Sequence, residues 1–145
     1  MTALLNQKNF AVNENKKENK KEREKIILKT IYYKEEILDI IDNLLTNGIE
    51  LSIAYWACMP DSGEKLPIET KHYYIKKVVT IAEKEANTDD GIKSVKLTED
   101  KLLEGLSIMK QDYPKHFNDA ISGNDDGDTA DVFIQCCVLK KVVYG

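Results

Sequence analysis

The sequence predicts an α+β domain: about four antiparallel strands with three to four helices packed on them, in the order β-α-β-β-β-α-(α)-α. Three observations carry this prediction. A β-branched and aromatic run at 26–33 is followed at once by a segment of strong helical periodicity. Three more short apolar runs follow one another without an intervening helical pattern. The last third then returns to helical spacing, and strands grouped apart from helices read as α+β.

Residues 1–25 are read as a polar tail outside the domain, and 26–145 as the domain itself. Between Asn13 and Glu24 no side chain is apolar, so nothing there offsets the entropy of ordering. "IILKTIYY", 26–33, is the first predicted strand. In "KEEILDIIDNLLTNG", Ile37, Leu38, Ile41, Leu44 and Leu45 share a helical face, Glu35 and Glu36 suit the positive end of the dipole, and Gly48 follows as the terminator. "LSIAYWACM", 51–59, reads as a second strand, apolar on both alternating sets and therefore central. That alternation puts Ala54, Trp56 and Cys58 under the helices, and Ile53, Tyr55, Ala57 and Met59 on the open face. "HYYIKKVVTIA", 72–82, is the third strand, "NTDDG" a turn, and "IKSVKL" the fourth strand. Thr98 caps a helix with Leu102, Leu103, Leu106 and Met109 inside. Pro114 interrupts that helix, and Phe117, Ala120 and Ile121 mark further turns. Asp128 is the expected N-cap of a last helix whose inward residues are Ala130, Phe133, Ile134, Cys137 and Val138.

Composition excludes several function classes. Net charge is −4, with +3 on 1–25, −3 on 26–98 and −4 on 99–145, so strong nucleic-acid binding is not expected. No apolar run reaches the roughly 18 residues of a membrane span, and "MTALLNQKNF" lacks the pattern of a secretory signal; a cytoplasmic protein with no membrane partner is expected. Three cysteines, Cys58, Cys136 and Cys137, fit reduced structural thiols, not a disulfide framework. Nucleotide-binding, serine-hydrolase and zinc-protease motifs are absent, so no catalytic residue is assigned. His72 and His116 stand alone in sequence and read as solvated. Asn124, Asp126 and Asp128 imitate the start of a calcium loop, but Thr129 and Gln135 stand where glycine and glutamate are required. No metal and no cofactor are expected.

Three segments carry a resemblance: Gly48 followed by Tyr55-Trp56-Ala57, "VKLTEDKLLEGLSIM", and the ending "DTADVFIQCCVLKKVVYG". Over residues 26–145 the chain resembles a family of small proteins of tailed bacteriophages and prophages, with a Tyr-Trp-Ala segment and a C-terminal Asp-x-x-x-Gln…Tyr-Gly ending. It departs from that pattern at Asn47, where the family has a first glycine. It also carries Glu50-Leu51-Ser52 as an insertion, and Lys140-Lys141 in place of Gly-Glu. The resemblance implies a phage gene acting in the host bacterial cytoplasm, where small proteins without catalytic motifs often work by binding.

The favoured expectation is a non-enzymatic binder of a host protein, a counter-defence inhibitor of a nuclease or CRISPR effector, with self-association as a further use of the same surface. Its partner-binding residues would be Tyr55, Trp56, Asp125, Asp126, Asp128 and Asp131: aromatic anchors beside carboxylates that complement a basic surface. The alternative is a small-ligand or nucleotide sponge using Lys76, Lys77, Lys93 or Lys96 beside aromatic rings. A small enzyme with an unrecognised site is the third reading.

Overall fold

The computed structural model of the chain describes Lys20 and residues 34–60, 64–84 and 94–145. The polar tail at 1–25, the strand expected at 26–33, the turn at 87–91 and Lys93 lie outside the described residues, apart from helical Lys20. The class is α+β: among the described residues, five α-helices and a three-stranded antiparallel sheet, fewer strands than the four expected.

Helix α1 (Lys34–Asn47) buries Ile37, Ile41, Leu44 and Leu45, as its periodicity requires. It runs into a π-helical turn, Gly48–Ser52, closed by Ile53 N–H donating to the Gly48 carbonyl at 3.0 Å. The expected strand 51–59 shrinks to β1 (Ala57–Cys58). From 53 to 57 the buried residues are Ile53, Trp56 and Ala57, while Ala54 and Tyr55 are exposed. That spacing of three and four is helical, because Trp56 and Ala57 N–H both donate to the Ile53 carbonyl. Trp56 is inside and Tyr55 outside as expected, but Ile53 and Ala57 are buried and Ala54 and Cys58 exposed, the reverse of the expected faces, because the segment turns instead of alternating as a strand.

The third predicted strand also divides. Tyr73–Lys77 is a short helix, α2, and only β2 (Thr80–Glu83) is extended. His72 and Val78 bracket α2 in left-handed conformations, with φ of 56° and 52°. For a β-branched residue such as Val78 this is unfavourable, and the surrounding structure holds it. The gain is visible next door, where Val79, Ile81 and Ala82 are fully buried. β3 (Ser94–Lys96) completes a sheet of order β1-β2-β3, with Ala57 opposite Glu83 and Ile81 opposite Val95.

Helix α3 (Glu99–Asp112) is capped by Thr98, whose hydroxyl accepts from Lys101 N–H at 3.3 Å. Pro114 does not merely interrupt it; it starts a separate helix, α4 (Pro114–Ile121), at the first position, where its missing N–H costs nothing. Helix α5 (Gly127–Leu139) is capped by Asp126 and not by Asp128: the Asp126 carboxylate accepts from Thr129 N–H at 2.9 Å, and Asp128 lies in the first turn.

The core is one cluster running from Ile37 to Val138, and α5 is its centre. Its residues 133–138 are all buried, because α1, α3, α4 and the π-helical turn pack around it. Two glycines set the closeness. A Cβ on Gly48 would lie 2.2 Å from Ile134 Cδ1, and one on Gly105 would lie 2.2 Å from Cys137 Sγ and 2.9 Å from its backbone. Cys136 and Cys137 are thus both interior, although adjacent helical residues do not share a face.

Candidate functional site

The π-helical turn resting on α5 through Gly48 delivers Tyr55 and Trp56 to Asp131, about one turn into α5. Trp56 Nε1 donates to one carboxylate oxygen at 2.8 Å, and the Tyr55 hydroxyl donates to the other at 2.5 Å. Gln135, one turn further on, donates to Asp131 at 3.0 Å and to the Tyr144 carbonyl at 3.1 Å. Its own carbonyl oxygen accepts from Val143 N–H at 2.8 Å and Tyr144 N–H at 2.9 Å. The Tyr144 ring stacks on Trp56, with centroids 5.4 Å apart and planes 12° apart, and its hydroxyl reaches Glu83 on β2. Two of the three segments quoted for the resemblance, Tyr55-Trp56-Ala57 and the C-terminal 128–145, supply Tyr55, Trp56, Asp131, Gln135 and Tyr144, and these meet in this cluster.

The candidate residues separate by exposure. Trp56 is 2% exposed and Asp131 half-buried, so both serve the interior of the cluster. Tyr55 is 56% exposed: its hydroxyl is pinned while its ring faces solvent. Desolvation of that hydroxyl, then the bond to Asp131, push the phenol up to about 12, so it stays protonated at neutral pH. Asp125 accepts from the Asn47 side chain at 3.1 Å, tying the loop before α5 to the end of α1. Asp126 is held below the usual carboxylate range by the Thr129 backbone N–H it caps. Asp128 is exposed on the same helix end. Leu51, 78% exposed, sits on the π-helical turn, where Ser52 lies 3.5 Å from the place a Cβ on Gly127 would take. Tyr55, bonded to Asp131, and the turn carrying Leu51, through Ser52 beside Gly127, thus lie against the first turns of α5.

The remaining chemistry-bearing side chains lie elsewhere. Burial pushes the Cys136 thiol up to about 12 and Cys137 well above its ordinary value, so neither is a nucleophile at neutral pH. Cys58 is exposed. His116 is half-buried and bonds Thr129 Oγ1 at 2.9 Å, whereas a solvated position was expected. His72 departs further from the same expectation: it is 6% exposed and bonds Asp39 at 2.6 Å. Lys76 and Lys96 are exposed, and Lys77 lies 5.3 Å from the Tyr73 ring centroid.

Sequence reasoning missed Gln135, Tyr144 and Glu83. The first two stand in the C-terminal pattern of the resemblance, which was their available signal. Glu83 has none, because only the register of β2 against β1 brings it to the cluster. No family model, no curated protein and no solved structure matches the chain.

Proposed function

We propose that this chain is a non-enzymatic binding protein of phage or prophage origin that engages a host protein, a nuclease or CRISPR effector, through Tyr55, Leu51 and the acidic N-terminus of α5. One observation carries the reading: Tyr55 presents a 56% exposed ring whose hydroxyl is already fixed to Asp131. An immobilised aromatic loses little entropy on binding, and tyrosine is enriched among interface residues that dominate affinity. Asp126 and Asp128 beside it offer charge complementary to a basic surface. Trp56 supports this surface from inside instead of touching the partner.

The test is affinity capture from a bacterial host lysate with the intact protein and with Tyr55→Ala and Asp128→Lys. A stoichiometric partner held by the wild type and lost by both variants, with melting temperatures unchanged, supports the reading. Equal capture by all three refutes this surface.

A further inference from the structure

Away from that surface, Glu35, Asp39 and Asp42 lie at i, i+4 and i+7 on α1, along the stripe that faces α2. His72, at the N-terminal border of α2, points its ring nitrogen Nε2 into the stripe, 2.6 Å from Asp39 Oδ1 and 3.9 Å from Glu35 Oε2. The imidazole is more than nine-tenths buried while both carboxylates are exposed, so one side of the group is walled and the other open. His72 has a left-handed backbone, φ 56° and ψ 50°, and its ring is held by the hydrogen bond to Asp39.

We infer that Glu35, Asp39 and His72 form a binding site for a first-row divalent transition-metal ion such as Zn²⁺. Their three donor atoms all lie within 4.8 Å of one another. Ligands held about 2.0–2.2 Å from one ion stand roughly 3–4 Å apart, so an ion would replace the 2.6 Å hydrogen bond between His72 and Asp39, parting the two by about 1 Å, while the exposed Glu35 side chain rotates in. The donor chemistry selects the ion: one imidazole with two carboxylates suits zinc-like ions better than the all-oxygen shells of Mg²⁺ and Ca²⁺. Three protein ligands with a solvent-facing fourth position match the open type of zinc site. Charge favours it too. Carboxylates at i and i+4 repel, and a cation between Glu35 and Asp39 would relieve that repulsion. Lys71, bonded to Glu35 at 3.1 Å, supplies the competing positive charge from a side chain 67% exposed, which is free to swing away.

Isothermal titration of Zn²⁺ into chelator-treated full-length protein tests the site. The background is Cys58→Ser, which removes the exposed thiol as a rival ligand. The expected result is one equivalent bound, weakened roughly tenfold or more by Glu35→Gln and by Asp39→Asn; changing even groups one step removed from a metal costs that much. Both positions are exposed, so these variants fold, and thermal melts without metal verify it. Lys71→Met, which leaves Glu35 without its ammonium partner, is expected to tighten binding. No stoichiometric binding in the Cys58→Ser protein, or affinity unchanged by Glu35→Gln and Asp39→Asn, overturns the inference.

Discussion

Trp56 and Tyr55 are neighbours with opposite tasks, and Asp131 distinguishes them. Trp56 contributes a buried ring stacked on Tyr144 and one hydrogen bond to the carboxylate. Trp56→Ala removes the ring and leaves Asp131 short of a donor, so denaturant melts should show a loss of about 3–5 kcal/mol. Tyr55→Ala should cost far less, since most of its ring is already in water. Tyr55 also makes a pH prediction. Its phenol is raised from 10.0 to about 12 in the folded protein, so the neutral form is the one the fold favours. The stabilisation is complete below pH 10 and is lost as pH rises through about 12. Ultraviolet titration of the wild type against Tyr55→Phe should show this tyrosine ionising late, and Asp131→Asn should bring it back toward the ordinary value.

Helix α5 shows how local chemistry starts an element that tertiary contacts then finish. Its start depends on Asp126, whose carboxylate takes the Thr129 N–H. Asp126→Ala should cost about 1 kcal/mol in thermal or denaturant unfolding, as lost caps do, whereas Asp128→Ala should cost only a few tenths. At its other end Lys140 adopts a left-handed conformation and pairs with Glu104 on α3. Beyond it Gln135 holds residues 143 and 144 by both their amide hydrogens. Replacing Gln135 with Leu keeps the bulk and removes the acceptor. Hydrogen exchange should then show the Val143 and Tyr144 amides losing protection while those of α3 keep theirs.

Over the whole molecule, stability rests on close helix–helix contact around α5 more than on the sheet. Gly105 is where this is most exposed to test. Alanine is the better helix former by about 1 kcal/mol. Yet at this position its methyl group would meet Cys137 side chain and backbone at less than 3 Å. Overpacking against a backbone that cannot retreat outweighs propensity, so Gly105→Ala should destabilise by about 1–3 kcal/mol in denaturant melts.

The amino-acid sequence by itself determined the helices whose signals are local. Apolar residues at three- and four-residue spacing, with Thr98 and Pro114 at their borders, define α1, α3 and α4 from within a few residues of each element. It also singled out Tyr55, Trp56 and Asp131, though not that one carboxylate would bind both aromatics. Tertiary structure decided the rest. The run 51–59, apolar on both faces, carries no period to choose between a strand and a buried turn, and 72–82, with Tyr73–Ile75 and Val78–Val79 either side of Lys76-Lys77, fits a strand or a short helix alike. Packing against α5 and α1 chose the turn at 53–56 and the helix at 73–77. His72 followed the same logic: read as a solvated strand residue, it became a buried imidazole only when α2 laid it against the carboxylates of α1. Contacts of that kind join residues more than thirty positions apart, and no local pattern encodes which distant side chain will supply the missing charge.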